Sequence, residues 1–177
     1  MSGERTVRVL FDEDAIAERI EHMAEAVAER DPKNLLVIAI LKGSFVFAAD
    51  LVRALHRAGL KPQIEFMHLS SYFKGIVSSG QVTILKDIDS PVEGRDVLIL
   101  DDILESGRTL AFAKDLLVAR GARRVMIAVM LEKPGKRAVT VHADFVGFHC
   151  PDLFVVGYGM DVAHSYRQLP FVGVVAD

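Results

Sequence analysis

Apolar and polar positions along this chain fall into blocks that predict strands and helices in alternation. Uninterrupted apolar runs are typical of strands buried on both faces of a parallel sheet, and apolar stripes with a period near 3.6 residues are typical of helices packed on such a sheet. The predicted strands are 35–41, 64–70, 82–86, 96–102, 125–131, 145–148, 154–157 and 171–175. The predicted helices are one that begins after Asp12 and ends at Asp31-Pro32, and two at 45–58 and 109–120.

This order predicts an α/β fold, with a central, mostly parallel twisted sheet flanked by helices and right-handed crossovers. Ligands bind at the carboxyl edge of the strands in such folds, so we expect the functional residues there. We predict a single domain over 1–177, with a core at about 33–142. A small hood, formed from about 1–12 and 143–177, is expected to cover that edge.

Composition narrows the class of protein. A hydrophobic content of 51%, a charged content of 25% and a net charge of −3 are ordinary for a globular protein and predict neither a nucleic-acid nor a membrane partner. The single cysteine, Cys150, rules out an internal disulfide and suits a reducing compartment. The first residues lack the apolar segment of a secretory signal, so we expect a cytoplasmic protein.

The segment 97–109 carries the strongest chemical signal. Its four apolar residues run directly into the adjacent carboxylates Asp101 and Asp102, and a short polar loop then leads into a helix. Carboxylates bind sugar hydroxyls and metal ions, while loop N–H groups and a helix N-terminus bind phosphate. Gly107 lets the backbone approach an anion closely, and Arg108 is a natural partner of phosphate. The segment therefore predicts a site for a phosphorylated sugar.

Four further segments carry weaker signals. Lys42 and Gly43 form a second junction between a strand and a helix, which suits a second phosphate group. Lys133 follows a buried strand and is placed to reach a substrate carbonyl, whereas its basic neighbours are typical of a solvated face. The segment 154–161 offers an aromatic ring for stacking and a carboxylate for a hard cation. The stretch 71–81 is rich in glycine and serine and predicts a lid.

Together these segments resemble a type I phosphoribosyltransferase, specifically the hypoxanthine(-guanine) branch of purine salvage. The stretch 97–109 resembles the signature for phosphoribosyl pyrophosphate that type I members share. Segments that resemble the 6-oxopurine branch follow over nearly the whole chain in the expected order. They are Leu41-Lys42-Gly43-Ser44, Ser71-Tyr72, Lys133-Pro134, 144–148, 154–161 and Arg167.

The resemblance implies a Mg²⁺-dependent transfer of 5-phosphoribosyl from phosphoribosyl pyrophosphate to a 6-oxopurine base, in a homo-oligomer. It assigns the sugar-phosphate site to Asp101, Asp102, Ile103, Leu104, Glu105, Ser106, Gly107, Arg108 and Thr109. It assigns pyrophosphate to Lys42, Gly43 and Arg167, with a cis peptide before Lys42. It assigns the purine to Lys133, Phe154, Val155 and Asp161, the lid to Ser71 and Tyr72, and the metal to Asp101, Asp102 and Asp161.

The position of the expected base departs from the family pattern. The family usually carries aspartate where this chain has Glu105, which the resemblance identifies as the catalytic residue acting at purine N7. The carboxylate is kept, but the extra methylene moves it by about 1.5 Å, the length of one bond.

Other functions remain open at this stage. A phosphoribosyltransferase that prefers xanthine or another base would share these segments. An RNA-binding regulator on the same fold, of the pyrimidine-operon kind, would keep a similar sugar-phosphate loop, although the net charge and the segment 154–161 argue against it. A signalling receiver domain would carry its acid pair near the first strand, whereas here the pair lies past mid-chain.

Overall fold

Two sheets and three helices make up the computed structural model, which describes residues 5–71 and 81–176. The strands are β1 (Val7–Phe11), β2 (Leu36–Leu41), β3 (Gln63–Ser71), β4 (Val82–Lys86), β5 (Asp96–Leu104), β6 (Arg124–Glu132), β7 (Phe145–His149), β8 (Val155–Val156) and β9 (Val172–Val175). The helices are α1 (Glu13–Glu29), α2 (Phe45–Arg57) and α3 (Arg108–Ala119). Among the described residues, no helix is both long enough and apolar enough to cross a membrane.

The larger sheet has the order β4-β3-β2-β5-β6-β7. All neighbours pair in parallel except β4, which pairs antiparallel with β3. β2, β5 and β6 therefore end side by side, and the residues that follow them meet at the carboxyl edge of the sheet. This is the mostly parallel α/β sheet that the apolar runs predict, and the prediction is confirmed.

Successive side chains in a strand point to opposite faces, which gives the sheet two hydrophobic cores. Val37, Leu98 and Leu100 belong to the core that includes residues of α1 and α2. Ile38 and Ile99 belong to the core that includes residues of α3 on the other face. Because β2 and β5 are buried on both faces, they read in the sequence as continuous apolar runs.

The boundaries of most elements agree with the sequence to within a few residues. Asp12 caps α1, its carboxylate accepting a hydrogen bond of 2.8 Å from the N–H of Ala15, as predicted. Gly59 and Gly121 follow α2 and α3 with φ of 92° and 90°, the left-handed conformation expected just after a helix. The predicted strand 154–157 is reduced to the two residues of β8.

A small sheet of order β1-β9-β8 joins the two ends of the described chain. The apolar pattern does not predict β1, which pairs antiparallel with β9. Next to this pair, the N–H of Ala176 donates to the carbonyl of Thr6 at 2.9 Å. β8 and β9 derive from the segment predicted as the hood, but β7, also within 143–177, belongs to the larger sheet. The division into core and hood stays a prediction.

Asp96, at the start of β5, is the centre of a buried ionic cluster. Its side chain is 0% exposed and accepts hydrogen bonds from the N–H of Lys33 at 2.7 Å, from Arg123 Nε at 2.8 Å and from Arg124 Nη2 at 3.1 Å. Burial alone would raise the pKa of this carboxyl, but the donors outweigh it and hold the pKa below its usual range. The cluster ties β5 to the start of β6 and to the turn before β2.

We expect Asp96→Asn to lower the free energy of unfolding by about 3 kcal/mol, because a buried neutral amide loses the charge-assisted hydrogen bonds that the carboxylate accepts from Arg123, Arg124 and the N–H of Lys33. The contribution of Asp96 is present above the ordinary aspartate pKa of 3.8 and is lost as the pH falls through the lower folded value. Urea unfolding at pH 7 and pH 3.5 measures both effects. The control is Asp87→Asn, which breaks a half-exposed pair with Arg120 and should cost at most about 1 kcal/mol. Equal losses in the two variants would contradict the prediction.

Candidate active site

Three neighbouring strand ends bring the predicted site residues together. Lys42 follows β2, the acid pair lies within β5 near its carboxyl end, and Lys133 follows β6. The N–H of Lys133 donates to the carbonyl of Leu104 at 3.0 Å, so the first residue after β6 is held against the end of β5. The parallel topology alone accounts for this assembly of residues.

The two adjacent carboxylates serve different cavities. Asp101 is 9% exposed and lines a small cavity next to α3, whereas Asp102 lines a larger cleft on the other side. Burial raises the pKa of Asp101 well above its usual range, and the charge of Asp102 raises it further. Each carboxylate accepts one N–H from the following residue, with Asp102 N donating to Asp101 at 2.9 Å and Ile103 N donating to Asp102 at 2.7 Å. Oxygen atoms remain on both groups for hydroxyl or cation partners.

The small cavity, of about 90 Å³, is built around the 105–109 loop. Its lining residues are Asp101, Ile103, Leu104, Glu105, Ser106, Gly107, Thr109 and Leu110. Gly107 has φ of 82° and caps the N-terminus of α3, so loop N–H groups and the helix dipole meet here. Arg108 is the first residue of α3, and its N–H donates to the hydroxyl of Ser106 at 3.3 Å. The cavity suits a small anion.

The larger cleft measures about 460 Å³. It is lined by Asp102, Ile103, Glu105, Lys133, Lys136, Asp152, Leu153, Phe154, Val155, Met160 and Asp161. Phe154 is 60% exposed, so its ring is accessible to a ligand in the cleft, while Lys133 is only 6% exposed. An exposed aromatic ring and a lysine that line the same cleft suit a planar, polar heterocycle.

Glu105 lines both cavities and belongs to an ionic chain at the rim of the cleft. Lys136 lies 3.6 Å from Glu105 and 3.1 Å from Asp152. Its hydrogen bond to Asp152, then the charges of Asp152 and Glu105, raise the pKa of the Lys136 ammonium. Sequence reasoning missed Lys136 and Asp152 because a basic residue in a loop is usually solvated.

A second cluster surrounds the Leu41–Lys42 peptide, which is cis as the resemblance implies. A Cβ atom added at Gly43 would lie 1.9 Å from Asp102 Oδ2, and one added at Gly159 would lie 2.5 Å from the carbonyl oxygen of Gly43. Arg167 donates to the carbonyl of Gly159 at 2.7 Å and lies 3.2 Å from Asp161. Arg167 is thus close to Gly43 in space although it is far from it in sequence.

The acids predicted to hold a metal ion are divided between the cavities. Asp102 and Asp161 line the cleft, and the absence of a side chain at Gly43 lets the carboxylate of Asp102 lie directly against the backbone there. Within 5–71 and 81–176 there is no group of three His, Cys, Asp or Glu side chains arranged to hold a metal on its own. The two cleft carboxylates fit a divalent cation that also takes oxygen ligands from a substrate.

Two other predictions concern the surroundings of the site. Ser71 is the exposed last residue of β3, and Tyr72, with most of the predicted lid, lies outside the described residues. Cys150 is buried and free, as expected. A cavity of about 720 Å³ among α1, α2 and 167–170 is larger than the cleft but lacks the acid pair and the 105–109 loop.

Comparison with known proteins gives a consistent picture. A model of the phosphoribosyl transferase domain matches residues 7–163. Hypoxanthine-guanine phosphoribosyltransferase of Bacillus subtilis (strain 168) is 43% identical over 169 residues, which cover 95% of this chain and 92% of that protein. The bifunctional protein TilS/HprT of Listeria innocua is 46% identical over 169 residues, or 95% of this chain, and the chain spans about a quarter (26%) of that protein's length.

Solved structures agree with these matches. A hypoxanthine phosphoribosyltransferase from Staphylococcus aureus superimposes with a TM-score of 0.89 and 38% identity, covering 96% of this chain and 91% of that one. A hypoxanthine phosphoribosyltransferase from Trypanosoma cruzi superimposes with a TM-score of 0.92 and 35% identity, covering 99% and 94%. Both superpositions extend over nearly the whole of this chain.

Proposed function

This chain belongs to the hypoxanthine(-guanine) phosphoribosyltransferases, a branch of the phosphoribosyltransferase family, and from that premise we propose that it is an enzyme of purine salvage. It transfers a 5-phosphoribosyl group from phosphoribosyl pyrophosphate to N9 of hypoxanthine or guanine, giving IMP or GMP and pyrophosphate. One observation carries the proposal: a small anion cavity and a cleft for a planar base adjoin, and Glu105 lines both.

In this proposal the sugar phosphate is held by the loop after β5. Ser106 to Thr109 bind the 5-phosphate through backbone N–H groups and hydroxyls, helped by the N-terminus of α3. Asp101 and Asp102 accept hydrogen bonds from the ribose hydroxyls. The pyrophosphate group lies against Lys42, Gly43 and Arg167, a cluster that the close approach of Gly43 and Gly159 supports.

The purine occupies the cleft. Phe154 stacks on its ring, and the backbone of Val155 reads its edge. Lys133, a largely buried residue that lines the cleft, donates from its ammonium group to the 6-oxo group. These contacts favour a 6-oxopurine over adenine, because the 6-amino group of adenine and the ammonium group of Lys133 are both hydrogen-bond donors and cannot bind each other.

Chemistry then proceeds by displacement at the anomeric carbon. The bond from C1 of the ribosyl group to pyrophosphate breaks as the bond from N9 to C1 forms, and Glu105 accepts the proton from N7 of the purine. Asp102 and Asp161 would hold Mg²⁺, which supplies charge neutralisation for the departing pyrophosphate when bound. The lid around Ser71 and Tyr72 would exclude water, which otherwise hydrolyses the donor.

A panel of bases tests the proposed function. With phosphoribosyl pyrophosphate and Mg²⁺, we expect pyrophosphate release with hypoxanthine or guanine, and at least tenfold less with xanthine and adenine. Faster turnover with xanthine would favour a xanthine-preferring enzyme. If no base supports turnover and the protein binds RNA in a salt-sensitive manner, it is a regulator on the same fold.

The proposal also covers the cellular compartment and the oligomeric state of the enzyme. We place it in the cytoplasm, which the free thiol of Cys150 supports, and as a homo-oligomer of two or four chains. Size-exclusion chromatography with light scattering measures the oligomeric state directly.

A further inference from the structure

The guanidinium group of Arg137 is held in the loop after β6 by three acceptors. Nε donates to the backbone carbonyl of Glu105 at 3.1 Å, Nη1 to the carbonyl of Val141 at 2.7 Å, and Nη2 to the carboxylate of Glu132 at 3.0 Å. The side chain is 28% exposed. It lines neither the small cavity nor the cleft, and these three acceptors are its hydrogen-bond partners among the described residues.

The backbone beside Arg137 binds the next carbonyl of the same loop. The N–H groups of Ala138 and Val139 donate to the carbonyl of Ser106 at 2.8 and 3.3 Å. Two consecutive carbonyls of the 105–109 loop, those of Glu105 and Ser106, are therefore turned towards the 137–139 segment. Arg137 fixes the first of them, and the backbone that follows it fixes the second.

The direction of these carbonyls determines where the loop N–H groups point. In a trans peptide the N–H points away from the carbonyl of the same unit. The peptides at 105–107 are trans, since the cis peptide of the described part of the chain is at Leu41–Lys42. The N–H groups of Ser106 and Gly107 are thus turned away from the 137–139 segment, to the side of the small cavity. Neither has an acceptor among residues 5–71 and 81–176, so both are free for an anion.

Packing behind Gly107 leaves the loop little room to rotate. A Cβ atom added at Gly107 would lie 2.6 Å from Cγ1 of Val141 and 3.1 Å from Cδ of Arg137. The methylene groups of Arg137 therefore pack against the back of the loop while its guanidinium group holds the peptide orientation.

We propose that Arg137 is a positioning residue for the 5-phosphate of phosphoribosyl pyrophosphate, acting through the peptide N–H groups of Ser106 and Gly107 without touching the phosphate. This inference rests on the proposed function and deepens it. It also reassigns a residue of the basic 133–137 loop, where the sequence pattern indicates a solvated face.

The test compares Arg137→Met with Arg19→Met. Arg19 also donates to two backbone carbonyls, those of Gly147 at 2.7 Å and Val146 at 2.8 Å, but these join α1 to β7 and neither belongs to the 105–109 loop or the 137–139 segment. We expect Arg137→Met to raise the KM for phosphoribosyl pyrophosphate by about 30-fold and to change the KM for the purine by less than about twofold, because misplaced donors cost one to two orders of magnitude. Arg19→Met should leave both constants unchanged.

A binding measurement keeps the test independent of turnover. Calorimetry with ribose 5-phosphate should show about 30-fold weaker binding to Arg137→Met than to the unsubstituted protein or to Arg19→Met. Arg137→Lys should recover only part of this loss, since one ammonium cannot reach three acceptors. Unchanged ribose 5-phosphate binding, or an equal rise in both KM values, would overturn the inference. If the unsubstituted protein turns over no base but binds ribose 5-phosphate, the proposed function fails while the calorimetry still decides the role of Arg137.

Discussion

Replacing Glu105 by glutamine is expected to lower kcat by roughly 10²-fold or more, with KM values within about threefold of the original. Glutamine keeps the size of the side chain and can still line both cavities, but it cannot accept the proton from N7 of the purine. Its amide also keeps a polar contact with Lys136, which lies 3.6 Å from the carboxylate. Initial rates of pyrophosphate release at saturating substrates measure the effect.

The control for this variant is Asp152→Asn, which removes the other carboxylate that pairs with Lys136 and leaves Glu105 in place. We expect its kcat to stay within about threefold, because it weakens only an exposed ion pair. Unchanged turnover in Glu105→Gln would remove the assignment of Glu105 as the base. Glu105→Asp then tests whether the longer side chain of glutamate places the carboxylate best for catalysis. A faster aspartate variant would mean that the site only tolerates glutamate.

Gly43→Ala should reduce kcat/KM for phosphoribosyl pyrophosphate by roughly 10²-fold while the protein stays folded. The added Cβ would lie 1.9 Å from Oδ2 and 2.7 Å from Cγ of Asp102, so this carboxyl must move. Movement of Asp102 disturbs the proposed ribose and metal contacts, but only a side chain has to yield. We therefore expect a loss of activity with a melting temperature within a few degrees of the original.

Substitution of a buried glycine in β7 is the control, because it should reduce stability and leave substrate binding unchanged. At Gly147 an added Cβ would lie 2.3 Å from the backbone oxygen of Met130, between β6 and β7, where no side-chain rotation relieves the clash. Gly147→Ala should lower the melting temperature, and its remaining folded fraction should keep a normal KM for phosphoribosyl pyrophosphate. Full activity in Gly43→Ala would show that Asp102 can move without cost and would contradict its proposed role.

The larger sheet could be predicted because burial on both faces leaves a direct signal in the sequence. β2 and β5 are continuous apolar runs, and the topology rule then places Lys42 and the acid pair at one edge. β1 gives no such signal. It sits at the edge of the small sheet, its residues are at most half-buried, and its partner β9 lies at the other end of the chain.

Residues that depend on loop conformation could not be predicted in the same way. The approach of Gly43 to Asp102 depends on how the loop after β2 turns beside β5. Arg137 and Lys136 are adjacent basic residues of one loop, for which the sequence pattern predicts the same solvated face. Arg137 nevertheless donates to three internal acceptors, whereas Lys136 pairs with Asp152 at the rim of the cleft. Periodicity reports which faces are buried and carries no information on loop carbonyls.

The pairing of β1 with β9 also sets the order in which the two sides of the site can be completed as the ribosome makes the chain. All elements behind the 105–109 loop, up to Val141, exist before β8 and β9 are synthesised. β1 is made early but has no partner in the small sheet until β9 emerges, and Val155 pairs with Val174 of the same late strand. The 5-phosphate part of the site can therefore form on a nascent chain that does not yet contain the small sheet next to the purine part. The small sheet, and with it the site, is complete only when β9 has been made.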